Sequence, residues 1–219
     1  MRLRSPIPLS ILPLALWAIS APAAASDCGP GRPEIVVELS LPPETLEHRL
    51  DSAALASLNP GSFLPGYTTQ GLTKVDYQAS YRIEFVSERL PDGRWCSRVG
   101  RLAVEFGFTE PPTVFVSSSV PRGGCLYREV LAHEYRHLAI AKETVSAAGS
   151  MLRDRLVRLL AGNGVRGNDP DSANAVIDDA VSRAVDDVSS GLYRAAAARN
   201  AALDTPSEYA LLGKACPGS

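Results

Sequence analysis

Two histidines four residues apart, with a glutamate after the first, give the segment His133-Glu134-Tyr135-Arg136-His137 a recognisable reaction logic. Residues at that spacing on a helix lie on one face, one turn above the other, so both imidazoles can reach a single ion. A carboxylate next to the first ligand stands beside the ion without binding it, and can take a proton from a water whose acidity the ion raises. The expected chemistry is zinc-dependent hydrolysis. His133 and His137 are the expected metal ligands, Glu134 the general base and one catalytic Zn2+ the cofactor. The neighbours Leu131, Ala132, Leu138, Ala139 and Ile140 are apolar enough to bury the segment, and buried imidazoles and a carboxylate are costly without an ion to pair them.

A catalytic zinc site needs a third protein ligand and an open fourth position. Glu143 stands six residues after His137, where metzincins place their third ligand, but position 140 is Ile rather than the glycine of their turn. On an unbroken helix Glu143 rotates away from the histidine face. If a second helix folds back on the first, counting equal distances from the turn places Asn200 opposite His133 and Asp204 one helical turn further on. Asp204 is therefore the preferred third ligand, with a helix-ending cap as its alternative role. Asn200 is a candidate partner for that carboxylate or for a histidine. Glu208 reads instead as the reciprocal partner of a Thr205 cap. His48 reads as a lone exposed histidine in a short helical patch, outside the site. Tyr193 and Tyr209 could donate to an oxyanion, with packing as the simpler role, and Tyr135 and Arg136 receive none.

The elements that must position these residues fall into two halves. Glu34–Leu39, Val75–Val86, Trp95–Val99, Leu102–Phe108 and Thr113–Ser117 read as strands, from alternation or β-branched runs bounded by Pro and Gly, with Pro60 to Gly71 as loop. From about Leu126 to Ala161 the chain is rich in Ala, Leu, Arg and Glu and free of proline, which predicts a long helix with Gly149 as its weak point. Gly162 to Pro170 breaks it, a second helix is expected over Ser172 to Leu203, and Thr205-Pro206 starts a short third one. The expected fold class is α+β: a small antiparallel sheet followed by a long antiparallel helical hairpin carrying the H-E-x-x-H motif.

The amino-terminal segment carries Arg2 and Arg4, an apolar run from Ile7 to Ile19 and a small-residue end at Ala21 to Ser26. This reads as a signal peptide over residues 1–25, with residues 26–219 as a single zincin-like domain; a membrane anchor is the alternative. The run is short for a bilayer and broken by Pro8 and Pro13. After cleavage 20 basic residues face 24 acidic ones, a mature charge near −4 that argues against nucleic acid as a partner. A protein or peptide substrate is expected, with no membrane span after cleavage and a periplasmic or secreted location. Cys28, Cys96, Cys125 and Cys216 form an even set in an exported chain, which predicts disulfides. Of three possible pairings, Cys96 with Cys125 and Cys28 with Cys216 is preferred, because it ties the strands to the main helix and both termini down.

Cys96, Cys125, the motif His133-Glu134-x-x-His137, the run from Asn200 through Asp204-Thr-Pro-Ser-Glu to Tyr209, and Cys216 together resemble a bacterial family of predicted secreted zinc-dependent proteases, known mainly as a domain of unknown function. The resemblance spans roughly Tyr67 to Cys216. It implies a zincin helix packed on a small sheet and peptide-bond hydrolysis. The chain lacks the glycine turn and third histidine of metzincins, which leaves the third ligand open. Two other functions stay in view: a zinc-stabilised envelope binding or interaction module without activity, and a disulfide-held scaffold without metal.

Overall fold

The computed structural model describes residues 28–29, 31–58, 67–162 and 164–216. The signal-peptide expectation for residues 1–25, and most of the expected loop before Gly71, lie outside the described residues. The described chain is a mixed α+β fold with two small sheets and four helices. No helix among the described residues is long and apolar enough to cross a membrane.

Strand β1 (Glu34–Ser40) is followed by β2 (Thr45–Glu47), helix α1 (Ser52–Leu58) and β3 (Gly71–Lys74). Two long strands come next, β4 (Tyr77–Arg89) and β5 (Trp95–Phe108), then β6 (Thr113–Val116). The larger sheet has the order β1-β5-β4, with β4 antiparallel to β5 and β1 parallel to it. The smaller sheet has the order β2-β6-β3, with β2 parallel to β6 and β3 antiparallel. Both sheets are thus mixed, where a single antiparallel sheet was expected. Alternation along a strand shows that one face is buried, but not which neighbour lies beside it or in which direction. The two expected strands around Gly100 are one strand, with a register shift opposite Glu84 and Phe85 that absorbs the extra residue.

Helix α2 (Cys125–Leu160) carries the histidines and runs unbroken through Gly149. A side chain at Gly149 would meet Leu39 Cδ2 at 2.5 Å, so this glycine admits β1 rather than bending the helix. A short strand β7 (Val165–Gly167), which sequence reading assigned to the break, pairs with the start of β5. Helix α3 (Pro170–Leu203) begins with Pro170 in its first turn and Asp169 as N-cap, whose carboxylate accepts from Ser172 N at 2.8 Å. Helix α4 (Pro206–Ala215) begins at Thr205, whose hydroxyl accepts from Glu208 N at 3.2 Å.

Val145, Ala148, Leu152 and Leu156 of α2 and Ile177, Val181, Val185, Val188 and Leu192 of α3 recur at helical spacing. They close one core with Leu102, Val104, Phe106 and Phe108, the alternate positions of β5. Polar contacts between α2 and α3 are spread along both helices, from Arg155 with Asp187 at 2.5 Å, through Arg199 with Glu143 at 2.5 Å, to His137 with Asn200 at 3.0 Å. The core therefore fixes the histidine end of α2 against the end of α3.

The disulfides join Cys28 to Cys96 and Cys125 to Cys216, which corrects the expected pairing. The reason is topological. Because β1 lies along β5 with Glu34 opposite Arg101, the chain before β1 reaches the start of β5, where Cys96 sits. Because α4 folds back toward the start of α2, its end meets Cys125. Each bridge closes a long loop, 68 and 91 residues in sequence, so each removes much freedom from the unfolded chain.

Candidate metal centre

His133 and His137 project from successive turns of α2 toward the junction between α3 and α4. Their Nε2 atoms lie 3.1 Å apart. Asp204 Oδ1 is 3.1 Å from His133 Nε2 and 3.0 Å from His137 Nε2. These three donors form the group among the described residues that could hold a metal ion. His133 is buried, His137 nearly so, and Asp204 is half-buried. Asp204 is the C-cap residue of α3, and Thr205 takes the N-cap role for α4, so the Asp204 side chain is spent on neither helix end and is free to face the imidazoles.

The donor set and its dimensions fit zinc. Two imidazoles and a carboxylate are a combination that catalytic zinc sites use, and a tetrahedron with bonds of 2.0–2.1 Å has edges of about 3.3–3.4 Å. The triangle formed here is within a few tenths of an ångström of such a face. Two nitrogens at this separation cannot both direct protons at each other, whereas two lone pairs aimed at a common cation are satisfied together. The second ring nitrogens bear on the same point. His137 Nδ1 lies 3.0 Å from Asn200 Oδ1 and donates to it, which leaves the Nε2 lone pair for the ion. At His133, Nδ1 lies 3.1 Å from Arg136 Nη2 and 3.7 Å from Glu208 Oε1. An imidazole that ligates through Nε2 carries its proton on Nδ1 and needs an acceptor there; Glu208 Oε1, beyond hydrogen-bond distance, is the carboxylate that faces it.

Electrostatics follow from these contacts. Burial opposes the charge on Asp204, but hydrogen bonds from His133, His137 and Tyr209 outweigh it and hold the carboxyl far below its ordinary range. Burial likewise opposes protonation of His137, and its bonds to Asp204 and Asn200 reverse the balance and raise it. Burial pushes Glu134 up from the usual carboxylate range. Burial, followed by the Asp204 charge, raises Tyr209.

Glu134 is 5% exposed and lines the same cleft as His133, together with Tyr67, Gln70, Gly71 and Tyr209. Among the other expected residues, Asn200 reaches His137 rather than His133, one turn from its expected place. Glu143 is exposed and paired with Arg199 away from the cluster, as an unbroken helix requires. Glu208 is only half of the expected capping box. Its backbone N–H meets Thr205, but its carboxylate turns to Arg136 and toward His133. Arg136, which received no role from sequence, thus orders Glu208 beside the site. Tyr209 donates to Asp204 Oδ1 at 3.0 Å and packs its ring against His133 and Tyr67. Tyr193 instead donates to the carbonyl of Tyr77 and packs on its ring. His48 is neither helical nor merely exposed. It follows β2, donates from Nε2 to the Val120 carbonyl at 2.8 Å and packs edge-on against Tyr127.

Two residues that sequence reading missed, Gly71 and Thr73, contact Glu134 from β3. Their segment carries no long alternating pattern that would mark a strand.

If Asn200 sets the His137 tautomer, Asn200→Ala lowers zinc affinity by about 10–100-fold, the usual cost of losing such a partner. Competition with a chromophoric chelator measures this, and Glu143→Ala serves as the control with no effect. In comparisons with known proteins, no family model, curated protein or solved structure matches this chain.

Proposed function

We propose that the chain is an exported zinc-dependent hydrolase that cleaves peptide bonds, with α2 and α3 as the long antiparallel helical pair of a zincin-like domain. The observation that carries this reading is the convergence of His133 Nε2, His137 Nε2 and Asp204 Oδ1 to within 3.0–3.1 Å of one another, beside a cleft that His133 and Glu134 both line. The resemblance to predicted secreted zinc-dependent proteases supports the choice of substrate. The two disulfides accord with an oxidising compartment, periplasmic or extracellular.

In this reading His133, His137 and Asp204 hold the ion, and Asn200 and Glu208 orient the two imidazoles. Zinc bound there supplies Lewis acidity, polarising the scissile carbonyl and raising the acidity of the attacking water. Glu134 accepts the proton of that water and delivers it to the departing amine. Atoms balance without any further reactant: one C–N bond breaks, one C–O bond forms, and Glu134 ends as it began.

Elemental analysis of protein purified from the periplasm without added zinc tests the reading. About one zinc per chain is expected, together with hydrolysis of a peptide mixture that a chelator stops and zinc restores. A zinc content near zero in well-folded protein sinks the proposal.

A further inference from the structure

The Glu134 carboxylate is seated against strand β3 rather than against another charge. Thr73 Oγ1 lies 2.9 Å from Glu134 Oε2 and 2.9 Å from the Glu134 carbonyl oxygen. Two residues earlier on the same face of β3, Gly71 leaves the space that the other half of the carboxylate fills. A Cβ at Gly71 would lie 2.5 Å from Glu134 Oε1, 2.8 Å from its Cγ and 2.7 Å from Val130 Cγ1. Alternate residues of a strand face the same way, so the sequence Gly71-Leu72-Thr73 presents one missing side chain and one hydroxyl to the same carboxylate. Backbone pairing with β6, Leu72 opposite Phe115 and Thr73 opposite Val114, prevents β3 from backing away.

The two halves of the carboxylate have different surroundings. Gly71 and Glu134 line the cleft with His133, whereas Thr73 lies outside it. We propose that Gly71 and Thr73 form a seat that decides which oxygen of Glu134 moves the proton. Thr73 engages Oε2, its hydroxyl favouring the ionised oxygen over the neutral carbonyl, and Oε1, lying over Gly71, is left to accept the proton from water and pass it to the amine. Thr73 is thus a positioning residue: it touches Glu134 and no substrate. The assignment rests on the peptidase reading above.

Thr73→Val in the full chain keeps shape and strand preference while removing the hydroxyl. The expected result is zinc content, KM and thermal midpoint close to wild type, with kcat lowered by about 10–100-fold, the range for losing a hydrogen bond to a charged group. Thr73→Ser restores most of it. The 13C resonance of the Glu134 carboxyl carbon, followed in zinc-free and zinc-loaded protein, moves in Thr73→Val and returns in Thr73→Ser. In Gly71→Ala it moves with Thr73 intact. An unmoved resonance with wild-type kcat in Thr73→Val overturns the seat, as does a parallel fall of kcat, zinc content and thermal midpoint, which marks Thr73 as a structural stitch. If no variant, wild type included, cleaves peptides while the resonance still follows the hydroxyl, the seat stands and the peptidase reading falls.

Discussion

Glu134→Gln keeps about one zinc per chain and lowers peptide hydrolysis by about 10²–10⁴-fold, the usual contribution of a positioned general base. The amide has the same shape as the carboxylate, so it fits over Gly71 and still offers an oxygen to Thr73. It has no lone pair basic enough to take a proton from water. Stability separates this loss from misfolding. Glu134 is buried, and a neutral amide is less costly to bury there than a carboxylate, so the thermal midpoint of the variant stays level or rises. Zinc content measured by elemental analysis, the midpoint by calorimetry and kcat on the same preparation give the full pattern. Wild-type hydrolysis by Glu134→Gln would remove Glu134 from the mechanism, whatever the metal does.

The parts of this molecule that local chemistry encodes were readable from its residues. The helices α2, α3 and α4 announce themselves through apolar spacing and through Thr205-Pro206, and Asp169-Pro170, a capping residue followed by proline, is the local signal for the start of α3. That His133 and His137 of α2 face one point follows from spacing alone. Asp204 was reachable because a helix folded back on its neighbour has a register that can be counted, with an error of one turn, as the place of Asn200 shows. What failed was pairing across long stretches of sequence. Nothing in Glu34–Leu39 states that its partner is Arg101–Phe106 in parallel, and the disulfide pairing depends on that fact. The seat for Glu134 was hidden for the same reason. Gly71 and Thr73 stand 63 and 61 residues before the Glu134 they serve, in a strand of four residues whose meaning comes only from what it packs against.

Asp204→Ala lowers zinc affinity by at least about 100-fold, more than the 10–100-fold range for an outer partner, because it removes a donor atom that meets both imidazoles. Three carboxylates compete for this role by sequence, and their surroundings predict three different outcomes. Glu143, exposed and held by Arg199, has no effect when replaced by Ala. Glu208 stands 3.7 Å from His133 Nδ1, so Glu208→Ala costs about the 10–100-fold of a lost orienting group. Asp204→Ala alone also strands the Tyr209 hydroxyl, which loses its acceptor beside His133. Asp204→Asn falls between wild type and Ala, since it keeps an oxygen donor and surrenders the charge that a divalent ion rewards. Acid works on the same site from the other side. Asp204 stays ionised well below the usual range, while His137 holds its proton more firmly than a free imidazole, so the proton that competes with zinc as pH falls is carried by the histidine. Wild-type zinc affinity therefore declines first through the His137 titration, and chelator competition across pH reads that decline in the native chain. Should Asp204→Ala bind zinc as tightly as wild type while Glu143→Ala does not, the third ligand lies on α2 and the junction of α3 and α4 is not part of the centre.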